Sequence, residues 1–355
     1  MKKRILSIVL CVCMVLMSCA FMSGCGGKKN AKAVIKVYNW GEYIADGVLD
    51  QFYKETGIYV EYDTFVENEA MYTKVKNSGD DSYDVVVPSD YMVKKMADEG
   101  MLHELNYDNI PNIENVDPKF TQNRTYDKDG TYSVPYLWQT VGILYNKELT
   151  EGVTIDSMAD MFDYEHFSGK ICMLDSIRDT IGMTLKMLGY SMNDTDPAHI
   201  KEAKDKLLEQ KQHLLALGTD DLPDKVCSGS AALAMVYSGD GIYTAENDSN
   251  VEFVIPNEGS NLAVDCFVVL KTSKHTAEAE QFINFMLRSD IAKRNSEETG
   301  YSTTNIKAKE LMDPEMLADK RRYPDEAFLD EKCEEFITLN NDDFNRAWDE
   351  IKAGL

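Results

Sequence analysis

From residue 33 onward, short β-branched runs alternate with stretches whose apolar residues recur at helical spacing, and this rhythm restricts the chain to an α/β architecture. Ala33 to Tyr38 reads as a strand. Val48 to Glu55 sets Leu49, Phe52 and Tyr53 at helical spacing and meets a stop at Gly57. Ile58 to Thr64 alternates as a second strand, Asn68 to Lys76 is helical, and Tyr83 to Val87 is a short buried strand. Pro88-Ser89 breaks that strand, with Ser89 in N-cap position for a helix reaching Gly100. Asp129-Gly130, inside Tyr126 to Tyr132, signals a hairpin turn. A second rhythm follows, with strands at Thr140 to Tyr145, Gly169 to Leu174, Ala231 to Val236, Val251 to Ile255 and Val264 to Leu270. Its helices are Arg178 to Leu188, Ala198 to Leu217 and Thr276 to Arg288. No internal repeat and no Pro/Gly-rich linker separates the halves of this 355-residue chain, so two lobes would require the chain to cross between them more than once.

The N-terminus carries a separate message. Lys2, Lys3 and Arg4 precede the apolar run Ile5 to Met22, the pattern of an export signal over residues 1–24. Met22-Ser23-Gly24-Cys25 is followed by the polar tether Gly26 to Asn30, and small residues before a Cys resemble a bacterial lipobox. The resemblance implies a diacylglyceryl group on Cys25, a tether over 25–32, and a protein held on the outer face of the cell membrane or in the periplasm. The alternatives are a single spanning anchor or a misread start. Cleavage before Cys19 would leave Phe21 and Met22 exposed on the mature arm.

Charge narrows the partners. The chain has 61 acidic against 37 basic residues, a net −24. Such a surface repels nucleic-acid phosphates and concentrates cations, so the first ligand to seek is positively charged. Cys172, Cys227, Cys266 and Cys333 share no CxxC spacing, and Cys172 and Cys266 sit in apolar runs, which favours buried free thiols over disulfides. Enzyme signatures are scarce: HExxH, GxSxG, Walker A and a helix-opening GxGxxG are all missing. The five histidines form no i,i+4 pair, and Asp127-Lys128-Asp129-Gly130 is a turn rather than a calcium loop because it lacks the distal Glu. The expectation is a non-enzyme with neither metal nor cofactor.

Acids and aromatics gather at element ends. Trp40 and Tyr43 follow the first strand, Ser89 and Tyr91 the Val85 to Val87 strand, and Asp175, Ser176 and Asp179 the Ile171 to Leu174 strand. Tyr237 and Asp240 follow Ala234 to Val236, Asp265 opens a strand, and Tyr301 follows Gly300. Ligands of open α/β sheets bind beyond the carboxyl ends of strands. Ring faces and carboxylates there suit an organic ammonium. Each residue also has an ordinary reading: Ser89 caps a helix, and Asp179 caps another or pairs with Lys186.

Several of these segments are recognisable. Val37 to Tyr43 (VYNWGEY), Tyr83 to Tyr91 (YDVVVPSDY), Met187 to Ser191 (MLGYS) and Gly300 to Asn305 (GYSTTN) closely resemble bacterial spermidine/putrescine-binding proteins, and the similarity runs in order along the mature chain. The resemblance implies an α/β, two-lobed periplasmic-binding fold of type II, with mixed sheets flanked by helices and a hinged cleft closing on a polyamine. It places residues 33–137 with 265–303 in one lobe, and 138–264 with 304–355 in the other. It also implies a monomer that delivers spermidine or putrescine to the permease subunits of an ABC importer and catalyses nothing.

The site carries over unevenly. Trp40, Tyr43, Ser89, Tyr91, Asp265 and Tyr301 fall on matching ligand positions. Asp179 replaces a Glu, Tyr237 a Trp, Gly41 a Thr and Ser176 an Asp, while a C-terminal Gln contact maps to Glu334 or Glu335, with Glu335 taken as the candidate. Ala263 stands where a Trp packs on the polyamine, so Ala263→Trp is expected to strengthen binding if that space is vacant. The rival ligand is another small cation such as thiamine. The rival classes are an exported enzyme and a surface adhesion lipoprotein.

Overall fold

The computed structural model describes residues 30–79, 82–122, 124–337 and 342–353, so the signal segment and Cys25 lie outside the described residues. The chain first lays down β1 (Ala33–Trp40), β2 (Ile58–Phe65), β3 (Val85–Val86), β4 (Ser133–Gln139), β5 (Val141–Asn146) and β6 (Ile171–Leu174). It continues with β7 (Leu214–Gly218), β8 (Leu233–Tyr237), β9 (Val251–Val254), β10 (Ala263–Val269) and β11 (Ser302–Thr303). These strands form two mixed sheets, ordered β11-β4-β10-β3-β1-β2 and β7-β6-β8-β5-β9. β1 runs parallel to β2 and β3, and β10 antiparallel to β3 and β4. In the second sheet β6 is parallel to β7 and β8, whereas β5 is antiparallel to β8 and β9.

The helices include α1 (Val48–Thr56), α2 (Asn68–Asn77), α3 (Asp90–Asp98), α4 (Ile177–Met187), α5 (Pro197–Gln210) and α6 (Leu222–Cys227). Further along come α7 (Ser238–Asn247), α8 (Thr276–Met286), α9 (Ser289–Thr299), α10 (Ile306–Lys309) and α11 (Asp342–Lys352). α1 buries Val48 and Phe52 and stops where Gly57, at φ 77°, returns its N–H to Tyr53. Phe52 meets Phe282 of α8 edge-on with ring centres 5.3 Å apart, which fastens α1 to another helix flanking the first sheet.

The chain changes sheets at Thr140, the single residue between β4 and β5, and returns across residues 255–262 between β9 and β10. After β11, α10 packs on α9 and β11, so the chain beyond Thr303 starts on the first sheet's side rather than in the second lobe. α11 then packs against α4 and α5 beside the second sheet. The lobes therefore interleave, as the lack of a linker requires.

Two local readings are corrected, and the structure adds a strand. Helix α5 ends at Gln210 instead of continuing to Leu217, and Leu214–Gly218 becomes the edge strand β7, paired with β6 from Ile171↔Leu214 to Leu174↔Gly218. The apolar run fits either period, and backbone pairing with β6 decides it. Around Asp129-Gly130 there is a turn but no hairpin. The Asp127 carboxylate accepts from the N–H groups of Thr131, Tyr132 and Ser133, and feeds the chain into β4. β4 itself carries Pro135 in mid-strand, which argues against a strand in the sequence. The register slips there, from Asp265↔Leu137 to Cys266↔Pro135, and the Cys266 N–H goes to Pro88 O at 2.9 Å. Cys172, Cys227, Cys266 and Cys333 are free thiols, and Cys172 and Cys266 are buried.

Candidate functional site

The two sheet crossings bring element ends of both sheets against one cleft. From the first sheet come Trp40 at the end of β1, Tyr43 in the loop after it, Ser89 and Tyr91 after β3, and Asp265 on β10. From the second come Ser176 and Asp179 after β6, Tyr237 at the end of β8 and Asp240 after it.

Asp265 is 1 % exposed and is gripped by two hydroxyls. Tyr43 Oη donates to its Oδ2 and Ser89 Oγ to its Oδ1, both at 2.6 Å. Ser89 occupies the N-cap position of α3, yet its side chain makes no cap bond. Its hydroxyl is diverted to Asp265, and Asn68 Nδ2 donates to it at 3.0 Å. Burial pushes the Asp265 carboxyl up to about 6, with the two hydroxyls pulling it down and the Asp179 charge pushing it further up.

Asp179 is held alike from the second lobe. Its Oδ2 accepts from Ser176 Oγ at 2.7 Å and Tyr237 Oη at 3.2 Å, and its Oδ1 from Asn261 Nδ2 at 2.9 Å. Burial raises its pKa above the carboxylate norm, against the Ser176 and Tyr237 hydrogen bonds. Asp240 is pushed up to about 7, mainly by burial, with Tyr301 hydrogen-bonded to it and Asp220 adding repulsion. Among the described residues no Lys or Arg forms an ion pair with Asp265, Asp179 or Asp240. Buried carboxylates without a counter-cation are costly in the empty protein and become favourable when a cation arrives.

The tyrosines are set by packing. Tyr301 lies edge-on to Tyr43, ring centres 4.7 Å apart, and a Cβ on Gly239 would stand 2.3 Å from its ring, so only glycine fits at 239. Tyr91 has the Arg178 guanidinium 4.3 Å from its ring centre, and its hydroxyl donates to Glu69 at 3.2 Å. Arg178 also stands 3.8 Å from Glu69, so α4 of one lobe is latched to α2 and α3 of the other.

The cleft divides into an inner chamber of about 30 Å³ and an outer one of about 560 Å³. Ser89, Tyr91, Ser176 and Asp179 line the inner chamber, and Gly41, Tyr43, Asp265 and Tyr301 the outer. Trp40, Tyr237, Val66 and Gln139 border both and form the throat. Gly41 adds no side chain, and Asp220 Oδ2 stands 3.4 Å from where its Cβ would be.

Glu335 is the exception. It lines neither chamber, and its carboxylate accepts from Thr125 Oγ1 at 2.9 Å. Glu334 is tied to Lys186 at 2.8 Å. The C-terminal segment instead offers the buried ring of Phe336 to the inner chamber. Sequence reasoning missed Phe336, Gln139, Asn261 and Asn68. None is a charged residue at a strand end, and Gln139 sits on the strand hidden by Pro135.

The space expected beside Ala263 is not vacant. Ala263 is 5 % exposed and shares the inner chamber with Gln139, Trp40, Tyr237 and Phe336, so an indole there would meet these side chains rather than open space. Ala263→Trp is therefore expected to overpack the chamber and destabilise the protein by about 1–3 kcal/mol. Chemical denaturation measures this, and a variant as stable as wild type with tighter ligand binding would reinstate the vacancy.

Two interleaved α/β lobes with a cleft lined from both sides define a two-lobed ligand-binding protein. Residues 47–322 match the bacterial extracellular solute-binding protein family. The spermidine/putrescine-binding periplasmic protein of Salmonella typhimurium is 38 % identical over 288 residues, 81 % of this chain and 82 % of that one. A Listeria monocytogenes structure assigned as a spermidine/putrescine ABC transporter superposes with a TM-score of 0.85 at 38 % identity, covering 90 % of this chain and 98 % of that one. The spermidine/putrescine ABC transporter substrate-binding protein PotD of Streptococcus pneumoniae gives 0.77 at 36 % identity, covering 91 % and 99 %. The chain belongs to the bacterial extracellular solute-binding protein family.

Proposed function

We propose that this protein captures a polyamine, spermidine or putrescine, between its lobes and hands it to an ABC importer. The observation that carries the reading is the pair of buried carboxylates Asp179 and Asp265, neither in an ion pair with Lys or Arg among the described residues, one in each chamber on either side of an aromatic throat. A diamine neutralises both while its methylenes cross the faces of Trp40 and Tyr237. The names of the relatives supply the same ligand class. The Arg178–Glu69–Tyr91 latch is the contact that closure makes and release breaks. The test is uptake of labelled spermidine and putrescine by cells lacking this protein. Wild-type complementation should restore uptake and Asp265→Asn should not; unaltered uptake without the protein would end the delivery reading.

The anchor is part of the proposal. Among the described residues no helix is long and apolar enough to cross a membrane. A lipid on Cys25 would hold the lobes at the membrane through the short tether. Cys25→Ala is expected to release the protein or leave it as unprocessed precursor, read by fractionation. A processed form that still sediments with membranes would remove Cys25 as the lipid site.

A further inference from the structure

Gln139 is a polar side chain that the lobes leave unsatisfied inside the throat. It is 6 % exposed, and among the described residues its Oε1 has no hydrogen-bond partner. It borders both chambers and ends β4 directly across from Ala263, one residue before the chain changes sheets. A buried amide oxygen left unpaired costs roughly what a lost hydrogen bond costs, so a native position of this kind calls for a partner.

The surroundings define that partner. Asp179 lies on the inner side of Gln139 and Asp265 and Asp240 on the outer side, with the rings of Trp40 and Tyr237 beside it. A chain threaded from one chamber to the other presents its ends to carboxylates and its middle to a neutral oxygen acceptor. We propose that Gln139 Oε1 accepts an N–H from an internal ammonium of the ligand, and so selects a triamine of the spermidine type over a diamine. This rests on the polyamine reading above and adds a specificity-determining residue to it. A diamine puts only methylenes against Oε1, which then stays desolvated and unpaired. A site that offers a buried polar group discriminates strongly against a ligand that cannot meet it. Among the described residues the indole Nε1 of Trp40 is also without a partner, and Trp40 borders both chambers, so it is a local donor that could compete for the oxygen.

Calorimetric titration of wild type, Gln139→Met and Gln139→Glu with spermidine and with putrescine tests this. Met keeps the length of the side chain and removes the acceptor; Glu keeps the acceptor and adds charge. Wild type should favour spermidine by roughly tenfold or more. Gln139→Met should lose about that factor for spermidine while putrescine stays within about twofold, and Gln139→Glu should retain the preference. Equal weakening of both amines in Gln139→Met would make Gln139 a wall or a Trp40 partner and overturn the inference, as would no change in either. In that case the polyamine reading survives, because wild type still binds. Wild type that binds neither amine overturns both.

Discussion

Asp265→Asn should weaken spermidine and putrescine binding by about 1.5–3 kcal/mol, the usual scale for a hydrogen bond to a charged group. The substitution keeps shape and volume, and it removes the charge that Tyr43 and Ser89 orient into the outer chamber. In the free protein the same change relieves a cost. Burial holds the carboxyl at about 6, so near neutral pH the folded state carries an ionised group that it solvates poorly. The melting temperature without ligand is therefore expected to stay level or rise while affinity falls, the exchange of stability for function common at binding sites. Loss of both together would indicate a structural defect, and affinity within about twofold of wild type would remove Asp265 from the site.

pH should act in opposite directions on the empty and loaded protein. Asp265 sits at about 6 and Asp240 at about 7, both raised mainly by burial from an ordinary value of 3.8. Between about pH 4 and 7 the folded, empty protein holds protons that the unfolded chain has released, so these groups favour folding at the acid end. That contribution is complete below the unfolded value and is lost as pH rises through about 6 to 7. A cationic ligand binds the ionised forms, so binding expels protons and tightens as pH rises. From about pH 5 to about pH 7.5 the gain should be at least roughly tenfold for Asp265 alone. Repeating the titration on Asp265→Asn isolates that residue: its share of the pH dependence should vanish. Affinity flat across the interval in wild type would show that both carboxyls are already ionised before the ligand arrives.

The α/β rhythm was legible because most strands and helices here obey one period and end at recognisable stops, as Phe52 and Gly57 do for α1. It failed where backbone pairing overruled local pattern. Leu214 to Leu217 satisfies a helix as well as a strand until β6 claims it. β4 went unread: Pro135 is unusual in mid-strand, and the register slip between Asp265 and Cys266 is a tertiary feature with no local signal. The site divides along the same line. Ten expected residues line the cleft because charge and aromaticity at strand ends are visible in the chain itself. Glu335 lies against Thr125 while its neighbour Phe336 lines the wall, and side-chain direction near a chain end has no periodic signal. Ser89 and Ser176 are N-cap residues by position, and only the fold shows their hydroxyls donating to Asp265 and Asp179. Gln139 draws its meaning wholly from being enclosed without a partner, a property of the assembled lobes.

Calorimetric titration of the purified protein with spermidine and with putrescine near neutral pH tests the central claim most directly. One-to-one binding, micromolar or tighter, is expected for at least one of the two, with protons released to the buffer. Absence of both heat and thermal stabilisation at millimolar concentrations of either amine would contradict it.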